Sequence, residues 1–205
     1  MTQDRTSKLK KIKDQVINFK SSPLYKHRIE KGFVPVIGEG NHQAKIMFIA
    51  EAPGYYEAKS GRHFQGSSGK IFDQLMKAVG LKRSEVYITN IVKDKLPNNR
   101  NPNKLEIDAY APFLINQIKI IKPKIIATLG KFSTDYLFET CNLEKKPLKI
   151  IHGKPHKITC SYGECYILPL THPAASLYKP DLLPTMKKDF QQIIKLSTNQ
   201  ASKSD

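Results

Sequence analysis

The chain has 205 residues, 40% of them hydrophobic and 25% charged, an ordinary composition for one globular α/β domain with a proper core. Thirty-four Lys and Arg against 18 Asp and Glu leave a formal charge of +16. A lysine-rich solvated surface is the plain reading of that charge. A nucleic acid partner is favoured over it, because basic surfaces gain affinity by releasing counterions from phosphates. No apolar run reaches transmembrane length and no hydrophobic signal segment stands near Met1, so no membrane contact and an intracellular, cytoplasmic location are expected.

In chain order, residues 8–18 carry a helical pattern with a basic face, stopped by Ser21-Ser22-Pro23. Residues 25–43 read as loop, with a turn cluster at Gly38-Glu39-Gly40-Asn41. Residues 45–50 form a short apolar run bounded by turn residues, the pattern of a buried strand. It breaks into Glu51-Ala52-Pro53-Gly54 and a glycine-rich loop, and a helix follows over about 68–79. A second strand, 85–89, ends at Asn90. Asn103 caps a helix over 104–121, and Pro123 ends it. Residues 124–129 are a third strand, followed by a helix over 132–138.

Residues 145–155 read as irregular or edge strand, 158–160 and 165–168 as a hairpin, and 166–170 as the last strand, delivering His172. A final helix is expected over about 184–196, making residues 1–196 one domain and 197–205 a disordered polar tail. Cys141, Cys160 and Cys165 include no CxxC pair, so reduced thiols without a metal are expected. The strand–loop–helix alternation predicts an α/β fold with a mostly parallel sheet covered by helices on both faces.

Parallel strands bring their carboxyl ends to one edge, where α/β proteins bind ligands. Glu51, Asn90 and His172 all stand at such ends. A carboxylate there either caps the next turn or faces a substrate, where it orients water and stabilises a cation. The amide can read a donor–acceptor edge, and the imidazole can stabilise a leaving anion. Phe64, in its glycine-flanked loop, can stack on a planar ring. Taken singly, Phe64 reads as core, Asn98-Asn99 as a turn and His172-Pro173 as a loop anchor.

Their joint order resembles the uracil-DNA glycosylase superfamily, and most closely its family 4, over about residues 19–194. The resemblance rests on Gly38-Glu39-Gly40-Asn41, Glu51-Ala52-Pro53-Gly54 with Glu57, and Gly61-Arg62-His63-Phe64-Gln65-Gly66. It continues in Tyr87-Ile88-Thr89-Asn90, Pro97-Asn98-Asn99-Arg100, Lys122-Pro123-Lys124 leading to Leu129-Gly130, and His172-Pro173-Ala174-Ala175.

It implies a three-layer α/β/α sandwich around a central, mostly parallel four-stranded sheet. It also implies a monofunctional DNA glycosylase that hydrolyses the N-glycosidic bond of a base flipped out of DNA, with uracil favoured. Single- and double-stranded DNA are both open as substrates, and a monomer is expected. Glu51 and Asn98 would place or activate the water, and His172 would stabilise the anionic base at its O2. Ala52, Gly54, Glu57, Phe64 and Asn90 would bind the base, with Glu57 near its C5 side, Phe64 stacking and Asn90 reading its edge. Leu177 would be the wedge that fills the space the base leaves.

Two departures stand out. Family 4 carries four cysteines on an iron–sulfur cluster, and the matching residues here are Phe19, Ser22, Asp94 and Tyr110. No cofactor is therefore expected, and Phe19 and Tyr110 are expected to fill the cluster's volume. His63, Gln65 and Ser67-Ser68 are also more polar than the family's residues beside Phe64. That keeps open another deaminated base or a modified cytosine, hydroxymethylated or glucosylated as in some phage DNA. A DNA-binding damage sensor with a degenerate site is the alternative from another class. A nucleotide-binding enzyme is disfavoured, since neither a GxGxxG nor a P-loop pattern occurs.

Overall fold

The computed structural model describes residues 2–201, with elements numbered here in chain order. They are α1 (Thr2–Ile17), α2 (Tyr25–Glu30), β1 (Glu39–Gly40), β2 (Ile46–Ala50), α3 (Tyr55–Ser60), α4 (Ser67–Ala78), β3 (Tyr87–Asn90) and α5 (Lys104–Ile121). Next come β4 (Ile125–Leu129), α6 (Lys131–Thr140), α7 (Leu148–Ile151), β5 (His156–Cys160), β6 (Gly163–Leu170), α8 (Ala175–Tyr178) and α9 (Leu182–Ala201).

The strands form one sheet in the order β1-β3-β2-β4-β6-β5. The four central strands, β3, β2, β4 and β6, run parallel, as expected. Each edge adds an antiparallel strand: β1 on β3, and β5 on β6. Alternation along the strands builds two cores. Met47, Ile49, Ile126 and Ile167 point to one face, where they meet Val16 of α1, Leu114 of α5 and Phe138 of α6. Phe48, Ala50, Ala127 and Leu168 point to the other, against Phe72 of α4 and Phe190 of α9. Helices thus cover both faces.

Local chemistry explains the element ends nearest the cavity. The Asn103 side chain accepts from the Glu106 backbone N–H, and the Glu106 carboxylate accepts from the Asn103 N–H, a capping box that starts α5. Gly61, at φ 74°, closes α3 in the left-handed region that favours glycine.

Several expectations need correction. Residues 25–43 are not all loop: they hold α2 and the two-residue β1. Residues 145–155 contain the short α7 rather than an edge strand. The hairpin and the last strand share one long strand, β6. The final helix runs on to Ala201, so the first part of the expected disordered tail is helical. Residues 202–205 lie outside the described residues.

Candidate active site

The carboxyl ends of the parallel strands open into a cavity of about 520 Å³. Glu51 follows β2, Asn90 ends β3, and His172 follows β6. All three line it, as do Ala52, Gly54, Glu57, Phe64 and Leu177. Asn98 does not line it; its neighbour Asn99, exposed like Asn98, does. Lys95 Nζ donates to Asn99 Oδ1 at 2.7 Å and to the Leu96 carbonyl at 2.8 Å, which fixes that amide.

The Phe64 turn is strained and clamped. Phe64 has φ of 53°, uncommon for a residue with a side chain. Arg83 holds the turn by donating to the His63 carbonyl at 2.9 Å and the Phe64 carbonyl at 3.1 Å. The Gln65 N–H donates to Glu57 Oε1 at 3.2 Å. The ring stacks on Phe72, with centroids 4.2 Å apart and planes 8° from parallel. One face of Phe64 is thereby used, and the ring still borders the cavity.

Two glycines make this packing possible. A Cβ on Gly54 would stand 2.4 Å from Glu57 Oε2, and one on Gly69 would stand 2.0 Å from the Phe64 carbonyl oxygen. Gly69→Ala is therefore expected to displace the Phe64 turn and cut kcat/KM by roughly 10–100-fold. The helix-propensity gain, about 1 kcal/mol, does not restore geometry. Steady-state kinetics on a base-modified oligonucleotide check this; unchanged kinetics would sink it.

Asn90 is 3% exposed, and its side-chain amide has no partner among the described residues. Beneath it lies Lys93, fully buried. Lys93 Nζ donates to the Asn90 carbonyl at 2.6 Å, Thr89 Oγ1 at 2.7 Å and Gln117 Oε1 at 2.7 Å. Three acceptors match the three protons of an ammonium. Burial nevertheless pushes the amine well below the usual lysine range.

The imidazole of His172 is oriented by its own loop. Its Nδ1 accepts from the Ala174 N–H at 3.2 Å, which leaves the proton on Nε2 as a donor. Burial lowers its pKa to about 4, so the ring is neutral at ordinary pH. Glu51 is only partly buried and has no cation beside it among the described residues. Desolvation raises its pKa above the ordinary 4.5. If the anion does the work, activity falls as pH drops through that raised value while His172 is still neutral. A pH–rate profile should show one acid limb with its midpoint above 4.5. A midpoint at or below 4.5 would contradict it.

The loop between β3 and α5 is anchored from below. Arg100 makes a bidentate pair with Glu106, at 2.8 and 2.5 Å. Phe19, Ser22, Asp94 and Tyr110 come together in space. The rings of Phe19 and Tyr110 meet edge to face at 5.6 Å. Ser22 Oγ lies 2.6 Å from the Tyr110 hydroxyl, which donates in turn to Asp94 Oδ2. Arg28 pairs with Asp94 at 3.4 Å. This set of phenyl, hydroxyl, phenol and carboxylate does not fit an iron–sulfur cluster, which takes thiolates. The thiols stand elsewhere, at the end of α6 and on the β5–β6 hairpin.

Lys93, Lys95 and Arg83 support the site but were not expected from the sequence, because a lysine or arginine there reads as surface charge until its buried contacts are seen, and Asn99 was given no role beside its neighbour Asn98. Tyr55 and Tyr56 on α3 also border the cavity and are 54% and 63% exposed. A Tyr-Tyr pair beside the Pro-Gly turn was the available signal.

Comparison with known proteins agrees with this geometry. Residues 37–196 match the model of the uracil DNA glycosylase superfamily. A type-4 uracil-DNA glycosylase of Sulfurisphaera tokodaii is 43% identical over 190 residues, covering 92% of this chain and 84% of that protein. The corresponding enzyme of Saccharolobus solfataricus is 41% identical, covering 89% and 83%. That of Archaeoglobus fulgidus is 35% identical, covering 82% and 83%. A strained aromatic turn, a free amide, a lone carboxylate and a neutral imidazole thus share one cavity at the strand ends, in a chain that belongs to the uracil-DNA glycosylase superfamily.

Proposed function

We propose that this protein is a monofunctional DNA glycosylase that hydrolyses the N-glycosidic bond of uracil flipped out of DNA, leaving an abasic site. The convergence of Glu51, Asn90 and His172 with Phe64 on one cavity carries the reading. The flipped base stacks on the free face of Phe64, and the Asn90 amide pairs with its edge. Bond cleavage sends the C1′–N1 electron pair into the base, and charge collects on O2. His172 Nε2–H donates to that oxygen as a neutral group, so no proton need be lost from the ring. The sugar takes on oxocarbenium character, which the Glu51 anion stabilises. Glu51 also orients the water that attacks C1′ and accepts its proton.

Asn99, tethered by Lys95 and lining the cavity, is the amide better sited to assist the water than Asn98, which does not line it. Glu57 forms the wall at the ring's C5 side. Leu177, 44% exposed on the rim, is the wedge into the vacated stack. The charge of +16 supports docking on phosphates. All these groups come from one chain, which supports a monomer working where DNA is held, in the cytoplasm of a bacterial or archaeal cell. The chemistry draws on a carboxylate, amides and an imidazole, and we take the protein to work without a cofactor.

The test is alkaline cleavage of labelled oligonucleotides, each carrying one uracil, hypoxanthine, xanthine, hydroxymethylcytosine or glucosylated cytosine, single- and double-stranded. Strand breaks at uracil are expected. Silence at uracil with breaks at another base would refute the assignment of uracil and keep the mechanism. Tight binding with no breaks anywhere would refute the enzyme.

A further inference from the structure

His63 is a buried polar group of the cavity that this mechanism leaves unused. It borders the cavity, yet it is only 2% exposed. Its Nε2 is sealed from water with no hydrogen-bond partner, and the ring makes no hydrogen bond among the described residues. Burying such a ring without partners is costly unless a ligand supplies one. Its backbone is fixed on both sides. The His63 carbonyl accepts from Arg83 at 2.9 Å and from Gln65 Nε2 at 2.9 Å, and Phe64 follows in its strained turn.

Asn90 makes such a group necessary. An amide presents an oxygen and an NH2, and rotation by 180° exchanges them. One orientation pairs with uracil, accepting from N3–H and donating to O4. The other pairs as well with cytosine, donating to N3 and accepting from the amino group. No protein partner fixes the Asn90 amide among the described residues, so Asn90 alone does not distinguish the two bases. His63 and Asn90 line the same cavity, so a base whose edge meets the Asn90 amide comes within its walls beside His63. Burial above all holds the ring neutral, with its pKa lowered to about 3. A neutral ring carries one N–H that can donate to a ligand.

We propose that His63 is a specificity-determining residue that donates to the carbonyl oxygen a deaminated base carries where its parent carries an amino group, O4 in uracil. Cytosine would set donor against donor at this point. The inference rests on reading the cavity as a uracil site.

The experiment measures single-turnover excision by wild type, His63→Ala and His63→Asn on DNA carrying uracil, 4-thiouracil or cytosine. 4-Thiouracil keeps N3–H but replaces O4 with sulfur, a weak acceptor. His63→Ala is expected to lose about tenfold on uracil and little on 4-thiouracil, and its uracil-to-cytosine preference should fall about tenfold. His63→Asn, which restores a donor, should recover part of the uracil rate. Thermal midpoints and affinity for abasic-site DNA identify a variant that has simply misfolded; His63→Asn then carries the comparison. Equal losses on uracil and 4-thiouracil, or an unchanged uracil rate, would overturn the role of His63 alone. Wild type inert on uracil would overturn both this role and the uracil reading.

Discussion

Glu51→Gln is expected to cut the single-turnover rate of uracil excision by about 10²–10⁴-fold, with DNA affinity and thermal midpoint nearly unchanged. The substitution keeps shape and removes charge. Stability should not suffer, because the carboxylate is partly buried without a cation and its charged form is already disfavoured by desolvation. The loss should therefore be confined to the step in which the sugar becomes cationic and water attacks. His172→Ala should cost about 10²–10³-fold, the usual value of one preorganised donor to a developing anion. His172→Gln, which offers an N–H, should recover part of it. Rapid-quench kinetics on a single-uracil oligonucleotide, with binding to abasic-site DNA as control, separate these effects. A Glu51→Gln enzyme as fast as wild type would remove Glu51 from the chemistry.

Asp94→Ala is expected to destabilise the fold by about 3–5 kcal/mol, because it leaves the Arg28 guanidinium buried without its carboxylate. Arg28 and Asp94 are 3% and 1% exposed, so solvent cannot compensate. Burial raises the pKa of Asp94 despite the neighbouring Arg28 and the Tyr110 hydroxyl, so desolvation outweighs their help. The pair itself is thus worth little net, while half of it is a liability. For a chain of this size the thermal midpoint should fall by about 6–20 °C. Replacing both partners, Arg28→Met with Asp94→Leu, should cost less than Asp94→Ala alone. Calorimetry or circular dichroism melts measure both. An Asp94→Ala midpoint within 2 °C of wild type, on the order of 0.5 kcal/mol, would show that this network does not hold the region.

Much of this architecture was legible from residue patterns. Apolar runs bounded by turns marked β2, β3 and β4, and Asn103 with Pro123 marked α5 to the residue. Parallel pairing then brought Glu51, Asn90 and His172 to one edge. The short helices α2 and α3 escaped because six residues span under two turns and show no apolar period. The two-residue β1 is defined by its partner β3 rather than by its own side chains. The choice between Asn98 and Asn99 was not legible either. Both have φ near 52°, and Lys95 decides which amide meets the wall. The contact of Phe19 with Tyr110 was expected from size and aromaticity. The buried Arg28–Asp94 pair beside it was not, because Arg28 lies in a segment read as loop.

The most direct measurement is release of free uracil from a single-uracil oligonucleotide by protein whose iron content has been quantified. The expected result is one uracil and one abasic site per substrate, in protein with iron far below one atom per chain, and no protein–DNA adduct trapped by borohydride. Absence of uracil release from both single- and double-stranded DNA, or release that tracks bound iron, would contradict it.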